Sequence, residues 1–251
     1  MRDLLEVWRN TRMVVLVALT AGLYAAFLIP FKPIPLIPGI TEVRPANVVP
    51  IVCALLFGPA AAWGSAFGNL IGDFFGTLGP GSLFGFVGNF LYAYVPYRVW
   101  GAHRAASRET QQGLMTGRGL MEYVLVTALA SLVCAVVIGW GCELFALAPG
   151  FLVANIIALN NFLVAAVLGP PLVLALYQRV RRWGLLYWQI LERDPVRRSA
   201  RVSLGAVLCW VGCAAALVVG NSTVFQQTGG MEVVQAVALP LAVVVVGLLL
   251  I

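Results

Sequence analysis

The sequence predicts an all-α protein, a polytopic bundle of transmembrane helices with a six-helix core and a C-terminal two-helix extension. Three observations carry this. Of 251 residues, 61% are hydrophobic and only 10% charged, where a soluble domain carries about 25% charged residues. Apolar runs recur from end to end, among them 13–28, 123–140 and 151–176, and ~20 such residues span a bilayer core as a helix. The ~10-residue alternating segments of a transmembrane barrel are missing from the pattern.

The opening residues, MRDLLEVWRNTR, are charged and include Trp8. No small-residue cleavage site follows, so 13–31 reads as a retained first helix, not a cleaved signal. The loop 32–45, KPIPLIPGITEVRP, holds four prolines and is stiff and non-helical. It suits either a cap folded over the bundle mouth or a connector at the headgroups. Helices are then expected at 46–58 and 59–77, broken at Gly58-Pro59, and at 81–100, 119–146, 151–178, 202–220 and 234–251. The positive-inside rule supports the break. With eight spans, Arg2, Arg9, Arg12, Arg98, Arg104, Arg108, Arg118, Arg179, Arg181, Arg182, Arg193, Arg197, Arg198 and Arg201 all fall on the cytoplasmic side, and only Lys32 and Arg44 outside. Merging 47–75 into one helix would split the arginines between the two sides. The expectation is therefore a multi-pass cell-membrane protein with both termini cytoplasmic.

Three units follow: a membrane core over 1–178, a basic linker over 179–201 and a helix pair over 202–251. In the linker, Trp183, Tyr187 and Trp188 suit an interfacial helix whose arginines meet anionic lipid; a plain surface linker is the other reading. The five cysteines form no CxxC pair and have no histidine beside them. They read as small buried hydrophobes, and no metal or other cofactor is expected.

Residues 57–76, FGPAAAWGSAFGNLIGDFFG, combine a glycine stripe with an acid. Gly64, Gly68, Gly72 and Gly76 recur every four residues, so on a helix they stack into a groove of bare backbone, which lets a second helix approach closely. Ser65, Asn69 and Asp73 form a stripe beside it. An unpaired charge in lipid costs several kcal/mol. Asp73 is thus expected either in a protected polar space or at the outer headgroup boundary.

The scarce polar groups of the first six helices gather in their outer halves, the pattern of an apolar pocket with a few convergent polar groups. The binding candidates are Arg44, Asn69, Asp73, Phe84, Asn89, Tyr92, Trp140, Glu143 and Asn155. Arg44 suits a carboxylate or phosphate; Phe84, Tyr92 and Trp140 suit a flat ring. Asn155, Asn160 and Asn161 do not share one helical face, so some of them must bond between helices. The first helix carries Ala21-xxx-Ala25 and Ala18-xxx-Gly22-xxx-Ala26, flat faces for another helix.

The small-residue first helix, the capping loop and the run ALLFGPAAAWGSAFGNLIGDFFG together resemble the substrate-binding S components of energy-coupling factor vitamin transporters. The resemblance covers roughly 13–178. It rests on Phe57, Gly58 and Pro59, followed by Gly68, Gly72 and Asp73. Ala62 stands where the family often has glycine, and the chain continues two helices beyond the usual six. The resemblance implies capture of a small vitamin or precursor from outside, and partnership with a transmembrane coupling protein and ATPase subunits. It also implies docking of that coupling protein on the first helix, through Ala21 and Ala25 with Ala18 and Gly22.

The sequence lacks a Walker A motif, so energy is expected from a partner or a gradient. A self-sufficient secondary transporter is the alternative. An intramembrane enzyme using Asp73 and Glu143 is a further one, but the single histidine, His103, lies in a cytoplasmic loop, which removes Ser-His-Asp and multi-histidine designs. The chain is expected not to be an enzyme. Membrane lipid is an expected partner and nucleic acid is not.

Overall fold

The computed structural model describes residues 2–31, 35–37, 41–42, 44–76, 78–104, 114, 116–192, 199–225 and 231–251. Lys32, Arg108, Arg193, Arg197 and Arg198, all used in the charge argument, lie outside the described residues, as does much of the 32–45 loop.

A short helix α1 (Arg2–Glu6) leads through a 3-10 turn into α2 (Thr11–Leu28). Asn10 starts α2 by accepting from the backbone N–H groups of Arg12 and Met13, which satisfies donors that a helix start otherwise leaves open. Two short antiparallel strands follow, β1 (Pro35–Ile37) and β2 (Thr41–Glu42), a small addition to the all-α expectation. Then come α3 (Val48–Phe57) and α4 (Pro59–Asp73), separated by Gly58 alone. Gly58 adopts φ 57°, ψ −123°, a region open to glycine. Pro59, with no N–H to leave unpaired, takes the first position of α4. The predicted break is therefore present. Ten residues carry α3 through about 15 Å of rise, half of a ~30 Å core.

The chain continues as α5 (Gly81–Arg104), α6 (Gly117–Leu144), α7 (Gly150–Arg182), α8 (Tyr187–Ile190), α9 (Ala200–Phe225) and α10 (Met231–Leu250). Among the described residues, five helices are long and apolar enough to cross a membrane. One end of the bundle gathers Asp3, Arg98 and Ile251. There Arg98 pairs with Asp3 at 3.5 Å and donates to the main-chain oxygen of Ile251, while Tyr97 donates to Asp3 at 3.0 Å. The opposite end carries the strand pair and the turns α4–α5 and α6–α7.

The glycine stripe of α4 lies against α2. A Cβ placed on Gly64 would fall 2.5 Å from Thr20 Cβ, one on Gly68 2.8 Å from the Ala21 carbonyl oxygen, and one on Gly72 2.4 Å from Leu28 Cδ2. Bare backbone at these three positions is what lets the helices close, as the spacing predicts; the fourth expected member, Gly76, lies past the end of α4, with nothing within 4 Å of a Cβ there. From α4 the packing passes to α5, then α6, then α7, and α9 with α10 covers α6 and α7.

Several boundaries differ from expectation: α4 ends at Asp73 instead of 77, α5 runs to Arg104 and so includes His103, and α9 covers Ala200–Phe225 instead of 202–220. Helix α7 runs to Arg182 instead of ending near 178, which places Arg179, Arg181 and Arg182 in its last turn, where carbonyl dipoles favour positive charge. Tyr187 does not lie on a membrane surface. It is buried, with Cγ only 2.6 Å from where a Cβ on Gly58 would stand, so α8 is tucked under the α3–α4 turn. Trp183 does face outward.

Candidate ligand-binding site

Because Gly64, Gly68 and Gly72 turn toward α2, the residues one step further on, Ser65, Asn69 and Asp73, turn away from it, about 100° round the helix. There Asn69 joins two charged groups. Its Oδ1 accepts from an Arg44 guanidinium N–H at 3.1 Å, and its amide donates to Asp73 Oδ2 at 3.1 Å. Asn69 and Asp73 are almost wholly buried. Gly85 of α5 lies so close that a Cβ there would stand 2.9 Å from the Asn69 amide nitrogen. Arg44, Asn69 and Asp73 form one wall of a cleft of about 270 Å³. Gly76, the run 78–82 with Ser82, and Gly85 form the rim, and Ile138, Cys142, Leu147 and Ile157 form the apolar side.

Beneath this cleft lies a second polar group that the sequence does not separate from the first. The Tyr24 hydroxyl stands 2.9 Å from both Asn47 Oδ1 and Asn89 Oδ1. The Asn47 amide donates to Asn161 Oδ1. Tyr92 lies 3.2 Å from the Asn47 carbonyl and 3.0 Å from the Asn161 carbonyl, and Asn161 donates to the Cys134 sulfur at 3.6 Å. Asn89 also donates to the Gly85 carbonyl at 2.9 Å. These buried, neutral side chains tie α2, α5, α6 and α7 to the turn that opens α3, and such partners are what an apolar interior demands of polar atoms.

Six of the nine binding candidates are therefore not cleft-lining residues. Asn89 and Tyr92 are spent in the lower network. Phe84 lies flat on Gly141 and edge-on to Trp140 and Phe145. Trp140 donates its indole N–H to the Val234 carbonyl at 3.3 Å. Glu143 Oε1 accepts from the backbone N–H of Gly150 at 2.7 Å and so closes the α6–α7 turn. Asn155 exchanges hydrogen bonds with Asn221 of α9, one of the interhelical bonds expected of the asparagines. The remaining three, Arg44, Asn69 and Asp73, meet at one point. Ser82 and the apolar lining residues are not among those the sequence reading names. Ser82 has a signal in the glycine-rich GTLGPGSLFG turn; the isoleucines have none.

The four docking candidates on α2 also divide. Ala21 and Ala25 are buried on the face turned toward α4, so they are not open to a partner helix. Ala18 and Gly22 are on the opposite, open face, with nothing within 4 Å of a Cβ on Gly22. Ala26 continues that face, between Leu19, Leu23 and Phe27.

A family model described as QueT transporter matches residues 14–178, and that family is one of S components of energy-coupling factor transporters. No curated protein and no solved structure matches the chain. The matched region ends within the last turns of α7, so α9 and α10 lie beyond it.

Proposed function

This chain belongs to the QueT transporter family, and from that premise we propose that it captures a queuosine precursor from outside, in the cleft between α4 and α5, and delivers it with a coupling protein and ATPase subunits. The observation that carries the reading is the Arg44–Asn69–Asp73 chain on the wall of a 270 Å³ cleft. That volume is just under the 300–1,000 Å³ of ordinary small-molecule sites, ample for a free base. The chemistry of the wall suits a flat heterocycle. A carboxylate accepts from ring or amino N–H groups, a guanidinium donates to a ring carbonyl or nitrogen, and an amide does either. Ile138 and Ile157 offer apolar contact to the faces of such a ring.

The outward orientation is supported by the arginines, which favour the cytoplasm at the end of the bundle opposite the cleft. On this reading the coupling protein docks on Ala18, Gly22 and Ala26, whose flat backbone surface suits a helix from a partner. The extension α9–α10 packs on α6 and α7 and leaves that face open.

The test is calorimetric titration of the detergent-solubilised protein with a queuosine precursor. Asp73→Asn takes the charge out of the Asn69–Asp73 bond, and Asn69→Ala removes both charge-assisted bonds of the wall, each worth about 1.5–3 kcal/mol, so affinity is expected to fall about 10- to 100-fold or more. Wild-type affinity in both variants would remove the cleft from the binding site.

A further inference from the structure

We propose that α9 and α10 are a brace for the ligand cleft: they hold the α6–α7 turn and the start of α5 in place, so that ligand affinity depends on residues that never touch the ligand. Three contacts at the cleft end of the bundle carry this. The Trp140 indole donates to the Val234 carbonyl at the start of α10. Asn155 and Asn221 exchange bonds at 2.6 and 3.4 Å. The Phe151 ring covers Gly220 so closely that a Cβ there would stand 2.2 Å from Phe151 Cγ.

Each contact lands on or beside a wall of the cleft. Cys142 and Leu147, which line it, lie between Trp140 and Phe151 in the chain. Their turn is closed by Glu143 on the Gly150 N–H and by backbone bonds from Phe145, Ala146 and Leu147 to the end of α6, and it passes through Ala146 at φ 50°, so it moves as one piece with the helix ends that α9 and α10 contact. Trp140 meets Phe84 at 5.9 Å between ring centroids, and Phe84 sits between Ser82 and Gly85, both lining residues. The pair that presses on this wall is itself closely packed: a Cβ on Gly205 would fall 2.6 Å from the Gly247 carbonyl oxygen, and one on Gly212 2.9 Å from that of Pro240. A binding wall holds its geometry only when packing behind it does. Here the packing comes from helices outside the region matched by the family.

The effect on affinity rests on the proposed ligand, and the test separates the two. Full-length Gly220→Leu and the milder Trp140→Phe are compared with Leu239→Ala, a control on the outward face of α10, where Leu239 is 75% exposed. Two quantities are measured. One is affinity for a queuosine precursor. The other, taken without ligand, is the rate at which a small methanethiosulfonate modifies Cys142, located by peptide mass spectrometry. Both brace variants are expected to lower affinity by about tenfold and to raise Cys142 modification by a similar factor, with the control at wild type. Gly220→Ala should show the same changes, and adding Phe151→Leu, which makes room, should reverse them. If the wild type does not bind the precursor, faster Cys142 modification still supports the brace while the ligand reading falls. Unchanged Cys142 modification in Trp140→Phe and Gly220→Ala overturns the brace, whether or not affinity changes.

Discussion

Tyr24→Phe removes one oxygen from the centre of the bundle and leaves the ring. Tyr24 is fully buried, and its hydroxyl faces the side-chain oxygens of Asn47 and Asn89, each at 2.9 Å. A phenol has one proton, so those two acceptors share it. The variant creates no cavity beyond the lost oxygen, and the neighbouring residues keep their packing. What it costs is one interhelical hydrogen bond, about 0.6–2 kcal/mol inside a membrane bundle, and the penalty of leaving an acceptor short, about 1 kcal/mol more. Together these come to about 2 kcal/mol. At about 2–4 °C per kcal/mol for a chain of this size, the melting midpoint should fall by about 4–8 °C. The protein supplies its own probe, because all five cysteines are free and buried; a maleimide dye that fluoresces on thiol addition reports their exposure on heating in detergent. A midpoint within about 1 °C of wild type would mean that the hydroxyl does not hold Asn47 and Asn89, and that no lower network stands apart from the cleft.

Two further predictions follow from α2 and α4. Leucine at Ala18 or Gly22 should leave the melting midpoint unchanged, since both face outward, yet reduce co-purification of the coupling protein; undiminished co-purification would reject this face as the dock. Gly68→Ala should do the reverse to the fold: its Cβ would meet the Ala21 carbonyl oxygen at 2.8 Å, and such overpacking costs about 1–3 kcal/mol. Because Asn69 rides on the same turn, ligand affinity should fall with stability, and calorimetry that finds the affinity intact would show that α4 relaxes without carrying the site.

What the sequence makes legible is height, and what it hides is direction. Hydropathy and the arginine pattern locate the helices and the break at Gly58, and they assign every polar residue a depth. They do not fix the face each residue turns to, because helices apolar all round carry no amphipathic stripe to orient them. Hence Asn89 and Tyr92, at a plausible depth for a ligand, turn out to face Tyr24, Asn47 and Asn161. Trp140 and Asn155 bond to α10 and α9, whose place against α6 and α7 nothing in their valine- and leucine-rich runs announces. Ala21 and Ala25 form as good a small-residue motif as Ala18 and Gly22; what separates the two is that Tyr24 and Leu28 share the buried side. Glu143 was the most recoverable case, since a carboxylate seven residues before Gly150, across a short turn ending in proline, has an open helix N–H within reach.

Asn69 and Asp73 escape this ambiguity for a physical reason. On α4 the glycines set direction as well as contact. A stripe of three residues without side chains can be matched only by a neighbour that comes within touching distance, and α2 does so along Thr20, Ala21, Tyr24 and Leu28. Once that side of the helix is fixed, the stripe one residue further on has no freedom left: it must look about 100° away, toward α5. Gly85 allows α5 to come close enough to meet it, and Arg44, at the turn before α3, reaches Asn69 from the remaining side. The acid is thus aimed by packing that contains no charge. A functional side chain next to a small-residue stripe is therefore easier to place from sequence than one on a featureless apolar helix, since the stripe supplies the angle that hydropathy lacks.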